Sequence, residues 1–212
     1  RFARPIHWIL ALYGGEVIPF RIENIKSDNK SYGHRFLNPA AFEVRSPADY
    51  LHRAREHFVI VDPDERRKLI LEAAEAAACS LGGKAFYNEE LLDTVTYIVE
   101  YPAVIMGSFD TSYLSLPKEV LTTSMMVQQK YFPLTDDKGN LLPHFLTVAN
   151  TIPRDPAVVK RGNEKVIRAR LSDAKFFFEE DRKISLEERL EQLKGTIFHT
   201  MLGTSYEKVV RV

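Results

Sequence analysis

Local chemistry marks four helix starts, and these constrain the fold of this chain more than any other feature. Ser46-Pro47, Asp62-Pro63 and Asp155-Pro156 each place a capping oxygen before a proline. Proline suits the first helical position because the N–H that it lacks has no helical partner there. Ser185 is followed three residues later by Glu188, the pattern of a capping box. The sequence therefore predicts four helices with defined beginnings.

Short runs of β-branched and aromatic residues separate these helix starts and predict strands. The predicted strands are Phe58 to Val61, Lys84 to Tyr87, Val104 to Phe109, Tyr131 to Leu134 and Phe145 to Asn150. Asp, Gly and Asn in Thr135 to Asn140 predict a hairpin loop between the last two strands. Two further helices are predicted at Glu89 to Val99 and Lys118 to Val127.

The amino-terminal part of the chain predicts a hairpin and then a long loop. Strand-like residues flank Tyr13-Gly14-Gly15, so His7 to Leu12 and Glu16 to Ile22 are expected to pair around that turn. Lys26 to Pro39 is rich in polar and turn-forming residues, which predicts a loop. Arg1 is not a methionine and stands just before an apolar segment, so we expect the sequence to be cut from a longer one.

The mixture of helices and strands predicts an α+β fold. Residues 1–150 are expected to form a mixed sheet with hairpins and flanking helices, because strands and helices alternate there irregularly. Residues 151–212 are expected to form a helical extension that leads toward a further domain. The hydrophobic content of 45% is enough for a core of ordinary size.

Charge and cysteine content limit the possible partners. Lys and Arg number 29 and Asp and Glu number 29, so any site for a polyanion must be a local patch. The single Cys79 excludes a disulfide framework and favours a reducing, cytoplasmic location. Apolar stretches are broken by charge well before the roughly 20 residues that cross a membrane. We therefore expect neither a membrane nor DNA as a partner.

No pattern in the chain predicts catalytic or metal-ligating residues. The glycine pairs Gly14-Gly15 and Gly82-Gly83 lack the rest of a phosphate-binding loop and are better explained by a turn and a helix end. His52 and His57 are five residues apart, which does not place them on one helical face. No cofactor is expected in this chain.

The strongest functional pattern lies between Lys160 and Phe178. Six basic and two acidic residues occur from 160 to 175. At helical spacing, one face carries Ile167, Leu171, Ala174 and Phe178, and another carries Arg161, Lys165, Arg168 and Lys175, with Arg170 nearby. Such a stripe can neutralise RNA phosphates. The alternative is a solvated face paired with neighbouring acids. Gly162-Asn163 weakens the helix start, so Arg161 could instead lie on a turn.

Two shorter segments combine a cation with aromatic residues. Lys130, Tyr131 and Phe132 could hold phosphate and stack on unpaired bases, although packing of both aromatics into a sheet is the simpler explanation. Arg35, between Tyr32 and Phe36, has the same composition and the same two explanations.

Longer strings resemble the β subunit of bacterial two-subunit glycyl-tRNA synthetases. In order, the strings are RPIHWILALYGGEVIPF, GHRF, SPADY, QQKYFP, LLPHFLTVAN, GNEKVIRARLSDAKFFFEEDRK and LGTSYEKVVRV. The resemblance runs nearly end to end, and GNEKVIRARLSDAKFFFEED is its most specific part. The chain departs from the family pattern at Val127-Gln128, so no chemistry is assigned to those two positions.

The resemblance implies an enzyme of two α and two β chains. The α subunit would bind ATP, Mg and glycine for aminoacylation, and the β subunit would be required for recognition of tRNA(Gly). A fragment of this kind is not expected to aminoacylate alone, and the family's HD-like and anticodon-binding domains would follow it.

The family also resembles in part the β chain of phenylalanyl-tRNA synthetase, whose B3/B4 module edits mischarged tRNA. This likeness makes hydrolytic editing a rival function. Steric exclusion weighs against it, because no amino acid is smaller than glycine and larger ones can be refused at the first site. A pure protein-interaction scaffold is the other alternative.

Overall fold

A computed structural model describes residues 6–212 of the chain. The chain divides into two compact units, one ending at Ile167 and one formed by Arg168–Val212. It is a mixed α/β structure with several small sheets. The predicted domain boundary near residue 150 stays a prediction. The first unit extends to Ile167 and includes the first part of a long helix.

Strands and helices alternate along the described residues. The strands are β1 (Ile9–Leu10), β2 (Leu12–Tyr13), β3 (Glu16–Val17), β4 (Arg21–Ile22), β5 (Ile25–Asp28), β6 (Lys30–Tyr32), β7 (Ala41–Glu43), β8 (Lys84–Ala85), β9 (Ala103–Ser108), β10 (Phe132–Thr135), β11 (Leu141–Ala149), β12 (Ile197–His199) and β13 (Gly203–Thr204). The α-helices are α1 (Pro47–Glu56), α2 (Pro63–Cys79), α3 (Glu89–Ile98), α4 (Lys118–Thr122), α5 (Pro156–Asp181), α6 (Leu186–Gln192) and α7 (Ser205–Arg211). Single 3₁₀ turns lie at Thr111–Ser115 and Leu193–Gly195, and a π-helix at Thr123–Gln128.

All four predicted helix starts are confirmed. Ser46 Oγ accepts the Asp49 N–H at the start of α1, and the Asp62 side chain caps α2. Asp155 Oδ1 accepts the N–H of the second α5 residue, and Ser185 forms the predicted capping box of α6. Gly162 does not interrupt α5, so Arg161 lies on the helix and not on a turn.

The amino-terminal strands pair differently from the prediction. β2 and β3 form a hairpin around Gly14 and Gly15, whose φ angles of 60° and 89° suit glycine. The predicted longer strands are broken, and β1 pairs instead with β5 in parallel while β4 pairs with β5. Pro19 stands between β3 and β4, where its missing N–H interrupts pairing.

The loop predicted at 26–39 is found only at residues 33–39, because β6 and most of β5 occupy its first part. β6 pairs with β7 in the antiparallel register Lys30↔Glu43. Ser27 Oγ also lies 2.6 Å from the Ile18 carbonyl oxygen and accepts the Phe20 N–H at 2.9 Å. β5 and β6 are exposed on one side and consist mostly of polar residues. They therefore lack the run of apolar residues by which most strands are recognised in a sequence.

The strand predicted at 58–61 is also wrong. Phe58 adopts a φ of 60°, which ends the backbone of α1 in a left-handed turn. The Val59 N–H then donates to the Ala54 carbonyl at 2.8 Å, and the Ile60 N–H to the Glu100 carbonyl at 2.9 Å. The helix predicted at 118–127 is found as α4 followed by the π-helix.

A four-stranded antiparallel sheet carries the main core of the first unit. Its order is β8-β10-β11-β9, which confirms the predicted hairpin between β10 and β11. Helices α2 and α3 contribute apolar residues to the same core. Its buried members are Ile70, Ala74, Ala78, Leu91, Leu92, Val95, Val99, Met126, Phe132, Leu134 and Leu146.

The second unit contains the end of α5, then α6, β12, β13 and α7. Strands β12 and β13 form a small antiparallel sheet, so the segment that was predicted to be helical also includes strands. Gly203, with a φ of 87°, lies where these strands turn into α7. Among residues 6–212, none of the helices combines the length and apolar character that crossing a membrane requires.

Candidate nucleic-acid interface

The first part of α5 is held on one side by polar contacts within the first unit. The Tyr131 hydroxyl donates to Asn163 Oδ1 at 2.6 Å. The N–H and the hydroxyl of Ser108, at the end of β9, both donate to Glu164 Oε1 at 2.9 Å. Ile167 is fully buried on the same side. These contacts fix the rotation of the helix in the first unit.

Arg161 and Lys165 lie away from the buried Ile167. A helix turns by about 100° per residue, which places them roughly 120° and 160° around the axis from Ile167. Both side chains are exposed. Within residues 6–212, neither forms an ion pair with a carboxylate. The local carboxylate Glu164 is engaged by Ser108 and lies 3.9 Å from Lys160. The first unit therefore presents two cations that local acids do not neutralise.

The second unit carries Arg168, Arg170 and Lys175. Arg168 and Arg170 are exposed, while Lys175 is half-buried and its Nζ lies 3.9 Å from the Glu179 carboxylate. Arg170 comes two residues after Arg168 and so lies about 160° around the helix from it. Arg170 therefore lies on another flank of the helix than Arg168.

Sequence reasoning missed two exposed aromatic residues on α5. Phe176 and Phe177 are 57% and 62% exposed, and their ring centroids are 5.4 Å apart in an edge-to-face arrangement. Helical periodicity places only Phe178 of this run on the predicted buried face, and it assigns no role to Phe176 and Phe177. Their exposure is visible only in the structure.

The aromatic residues of the second candidate segment are packed. Tyr131 is 4% exposed and its ring stacks on Phe145, with centroids 4.7 Å apart and planes at 15°. Phe132 is fully buried. Burial raises the pKa of the Tyr131 hydroxyl. The proposed stacking of Tyr131 on a base is thus corrected: its role is to pack the sheet and hold α5.

Lys130 occupies a left-handed backbone position with a φ of 59° between the π-helix and β10. It lines a small cleft with Asn88, Glu90 and Met126, and is half-buried. Its neighbour Glu90 supplies an acid on the same cleft. Lys130 is therefore less accessible to an RNA phosphate than the exposed Arg161 and Lys165.

Arg35 is exposed on a turn after β6. Its guanidinium carbon lies 5.7 Å from the ring centroid of Phe36, which is 77% exposed. Of the two explanations that the sequence left open for this segment, Phe36 does not follow packing, because its ring is exposed. Arg35 and Phe36 are outside α5 but belong to the same first unit.

Histidine and acidic residues do not converge on a metal site in the part of the chain that the structure describes. His57 Nδ1 lies 2.8 Å from the Arg53 carbonyl, and His52 lies 3.3 Å from the Glu56 carboxylate. Both histidines thus have local helical partners. Cys79 is exposed at the end of α2.

Comparison with known proteins points to one family. The whole chain, residues 1–212, matches the sequence profile of the family described as "Glycyl-tRNA synthetase beta subunit". Three relatives named glycine–tRNA ligase beta subunit are 67%, 54% and 53% identical over 211 residues, in Syntrophus aciditrophicus, Syntrophotalea carbinolica and Geotalea daltonii. Each match covers 100% of this chain and 31% of the relative. The chain thus spans about a third of the length of these relatives.

Proposed function

Because the chain belongs to the glycyl-tRNA synthetase beta subunit family, we propose that it is a part of a glycine–tRNA ligase that supports tRNA binding and subunit assembly without catalysing aminoacylation. The observation that carries this proposal is the exposed pair Arg161 and Lys165 on a helix that is anchored through Asn163, Glu164 and Ile167. Cations that have no local acid can neutralise phosphates and release the counterions bound to them.

The proposed RNA contacts form separate sets of cations. Arg161 and Lys165 are one set in the first unit, and Arg168 and Lys175 are another set in the second unit. Arg170, Lys130 and Arg35 are proposed as separate contacts, since Arg170 lies on another flank and the other two lie outside α5. The hydrogen bonds of Asn163 and Glu164 support this proposal, because they hold the helix in one rotation.

The proposed partners are tRNA(Gly) and the α subunit of a two-subunit enzyme. We propose an assembly of two α and two β chains in the cytoplasm, with ATP and Mg at the α subunit. From the family resemblance, we also propose that the four-stranded sheet with α2 and α3 is similar to the B3/B4 module of the phenylalanyl-tRNA synthetase β chain. That likeness concerns the fold and carries no proposal of editing.

The test compares tRNA binding by whole enzymes that carry single-site or double variants. Arg161→Gln with Lys165→Gln is expected to weaken tRNA binding and to reduce the slope of log K against log salt by about 1–2, since each lost phosphate contact removes roughly 0.7–0.9. Arg168→Gln with Lys175→Gln tests the second unit separately.

Lys68→Gln is the matched control. Lys68 is also an exposed helical lysine, but it lies on α2 and pairs with Glu72 at 3.8 Å. The control is expected to leave the salt slope unchanged. Unchanged affinity and slope in both double variants would refute RNA binding by α5 and favour a pure subunit-interaction role.

A further inference from the structure

The turn that carries Arg35 and Phe36 is built on a glycine that no other residue can replace without rearrangement. A Cβ added to Gly33 would collide with the Asn38 carbonyl oxygen and lie 2.6 Å from Cβ of His57. Real Cβ contacts are not this short. Gly33 therefore lets the chain pass close to the end of α1, where His57 lies.

The next residue, His34, is buried and locks the turn. It is 1% exposed, and its Nε2 lies 2.6 Å from the Asn150 carbonyl oxygen. Its Nδ1 accepts the N–H groups of Phe36 and Leu37, both at 3.2 Å. Because Nδ1 accepts, the ring proton lies on Nε2 and is donated to Asn150. The side chain of His34 thus sets the backbone path of the two residues that follow.

Backbone hydrogen bonds complete the turn. The His34 N–H donates to the His57 carbonyl at 2.8 Å, and the Asn38 N–H donates to the His34 carbonyl at 3.0 Å. The turn is thereby held by three separate parts of the first unit, namely the end of α1, the residue after β11 and its own backbone.

Two side chains project from this fixed turn into solvent. Phe36 is 77% exposed, and the Arg35 guanidinium lies over its ring. Within residues 6–212, Arg35 forms no ion pair with a carboxylate. A single exposed apolar residue is ordinary on a protein surface, but this rigid turn presents a largely exposed aromatic ring together with a guanidinium that has no carboxylate partner, an arrangement that is preorganised for binding.

More aromatic surface lies beside the strand that leads into the turn. Tyr32, the last residue of β6, is 42% exposed and packs against Trp8, which is 43% exposed, with ring centroids 4.8 Å apart. The rings of Tyr32 and Trp8 therefore add flat, half-exposed aromatic surface next to the turn.

We propose that the Arg35–Phe36 turn is a stacking site for an unpaired RNA nucleotide, with the base on the ring of Phe36 and a phosphate at Arg35. The proposal deepens the proposed function and rests on it. A nucleotide carries both a flat base and an anion, so it satisfies both side chains at once. An apolar protein surface would instead bury the guanidinium without a partner, which is costly.

The proposal is tested in the whole enzyme, by measuring the dissociation constant for tRNA with four variants. Phe36→Ala and Phe36→Leu are each expected to weaken binding by between about fivefold and 150-fold, the range for loss of one stacked base. Phe36→Trp is expected to keep or improve affinity because it keeps an aromatic face. Arg35→Gln is expected to weaken binding and reduce the salt slope by roughly 0.7–0.9.

Tyr97→Ala is the matched control. Tyr97 is 70% exposed on α3 in the same unit, and its loss is expected to leave affinity unchanged. Normal affinity in Phe36→Leu would overturn stacking, because leucine keeps the apolar area but has no aromatic face. Weaker assembly with the α subunit at unchanged tRNA affinity would also overturn it, and would assign Phe36 to a protein contact.

The outcome is separable from that of the α5 variants. If the α5 variants lose affinity and those of Phe36 do not, the stacking site is refuted while RNA binding by the chain stands. If the Phe36 variants lose affinity and those of α5 do not, the turn is confirmed and the α5 interface is refuted. If neither set changes tRNA binding, both proposals fail.

Discussion

Truncation of Phe145 is expected to destabilise the sheet strongly and to loosen α5. Phe145 is fully buried on β11, and its ring stacks on Tyr131. The opposite strand is shaped around it, because a Cβ at Gly107 would lie 2.7 Å from Cε1 of Phe145. Phe145→Ala therefore removes a ring that has a stacked neighbour and a backbone fitted to its edge.

The magnitude follows from the burial. Truncation of a buried Phe to Ala costs about 3–5 kcal/mol, which includes the cavity that remains. A domain of ordinary stability has roughly 5–15 kcal/mol in total. The variant therefore loses a large share of the free energy of unfolding. Because Tyr131 loses its stacked partner, its hydrogen bond to Asn163 on α5 is expected to weaken as well.

The assay is urea unfolding of the chain, followed by circular dichroism. With a slope of about 2 kcal/mol per molar urea, the midpoint should fall by roughly 1.5–2.5 M. Tyr97→Ala removes an aromatic side chain that is 70% exposed and should change stability by less than about 0.5 kcal/mol. A loss below about 1 kcal/mol in Phe145→Ala would refute the packing described for this sheet.

Two further perturbations test local parts of the first unit. Arg66→Met should destabilise the chain by about 1–3 kcal/mol in urea unfolding, since the buried guanidinium donates to the carbonyls of Ile60 and Thr96 and each would lose its donor; equal stability would contradict this. The Asn140 side chain and backbone N–H hold the pKa of Asp136 below its ordinary value. The folded state thus favours the ionised form, so this contribution is complete above the unfolded pKa and is lost as the pH falls below about 4. Asp136→Asn should remove that part of the acid dependence of thermal unfolding, and an unchanged profile would count against it.

Local signals predicted the helices well because capping is decided within a few residues. Ser46, Asp62 and Ser185 cap the helices that their side chains predicted. The strands β5 and β6 were missed because they are short and polar, so their pairing depends on β1 and β7 and not on an internal hydrophobic pattern.

The candidate site was predictable only in outline. The spacing of Arg161 and Lys165 indicated a charged helical face, and both side chains are exposed. The sequence favoured packing for Tyr131, which is buried, but the same explanation fails for Phe36, which is exposed. Both are aromatic residues beside a cation, and only tertiary packing separates them. The anchoring of α5 by Ser108 likewise joins residues that are 56 positions apart.

The most direct test of RNA binding by α5 is a structure of the whole enzyme with tRNA bound. A tRNA phosphate is expected within about 4 Å of the Arg161 guanidinium or the Lys165 ammonium, the distance of an ion pair. Asn163 and Glu164 are expected to keep their contacts with Tyr131 and Ser108. A complex in which both cations are covered by protein, or face solvent with no RNA within about 10 Å, beyond the range of unscreened attraction, would contradict RNA binding by α5.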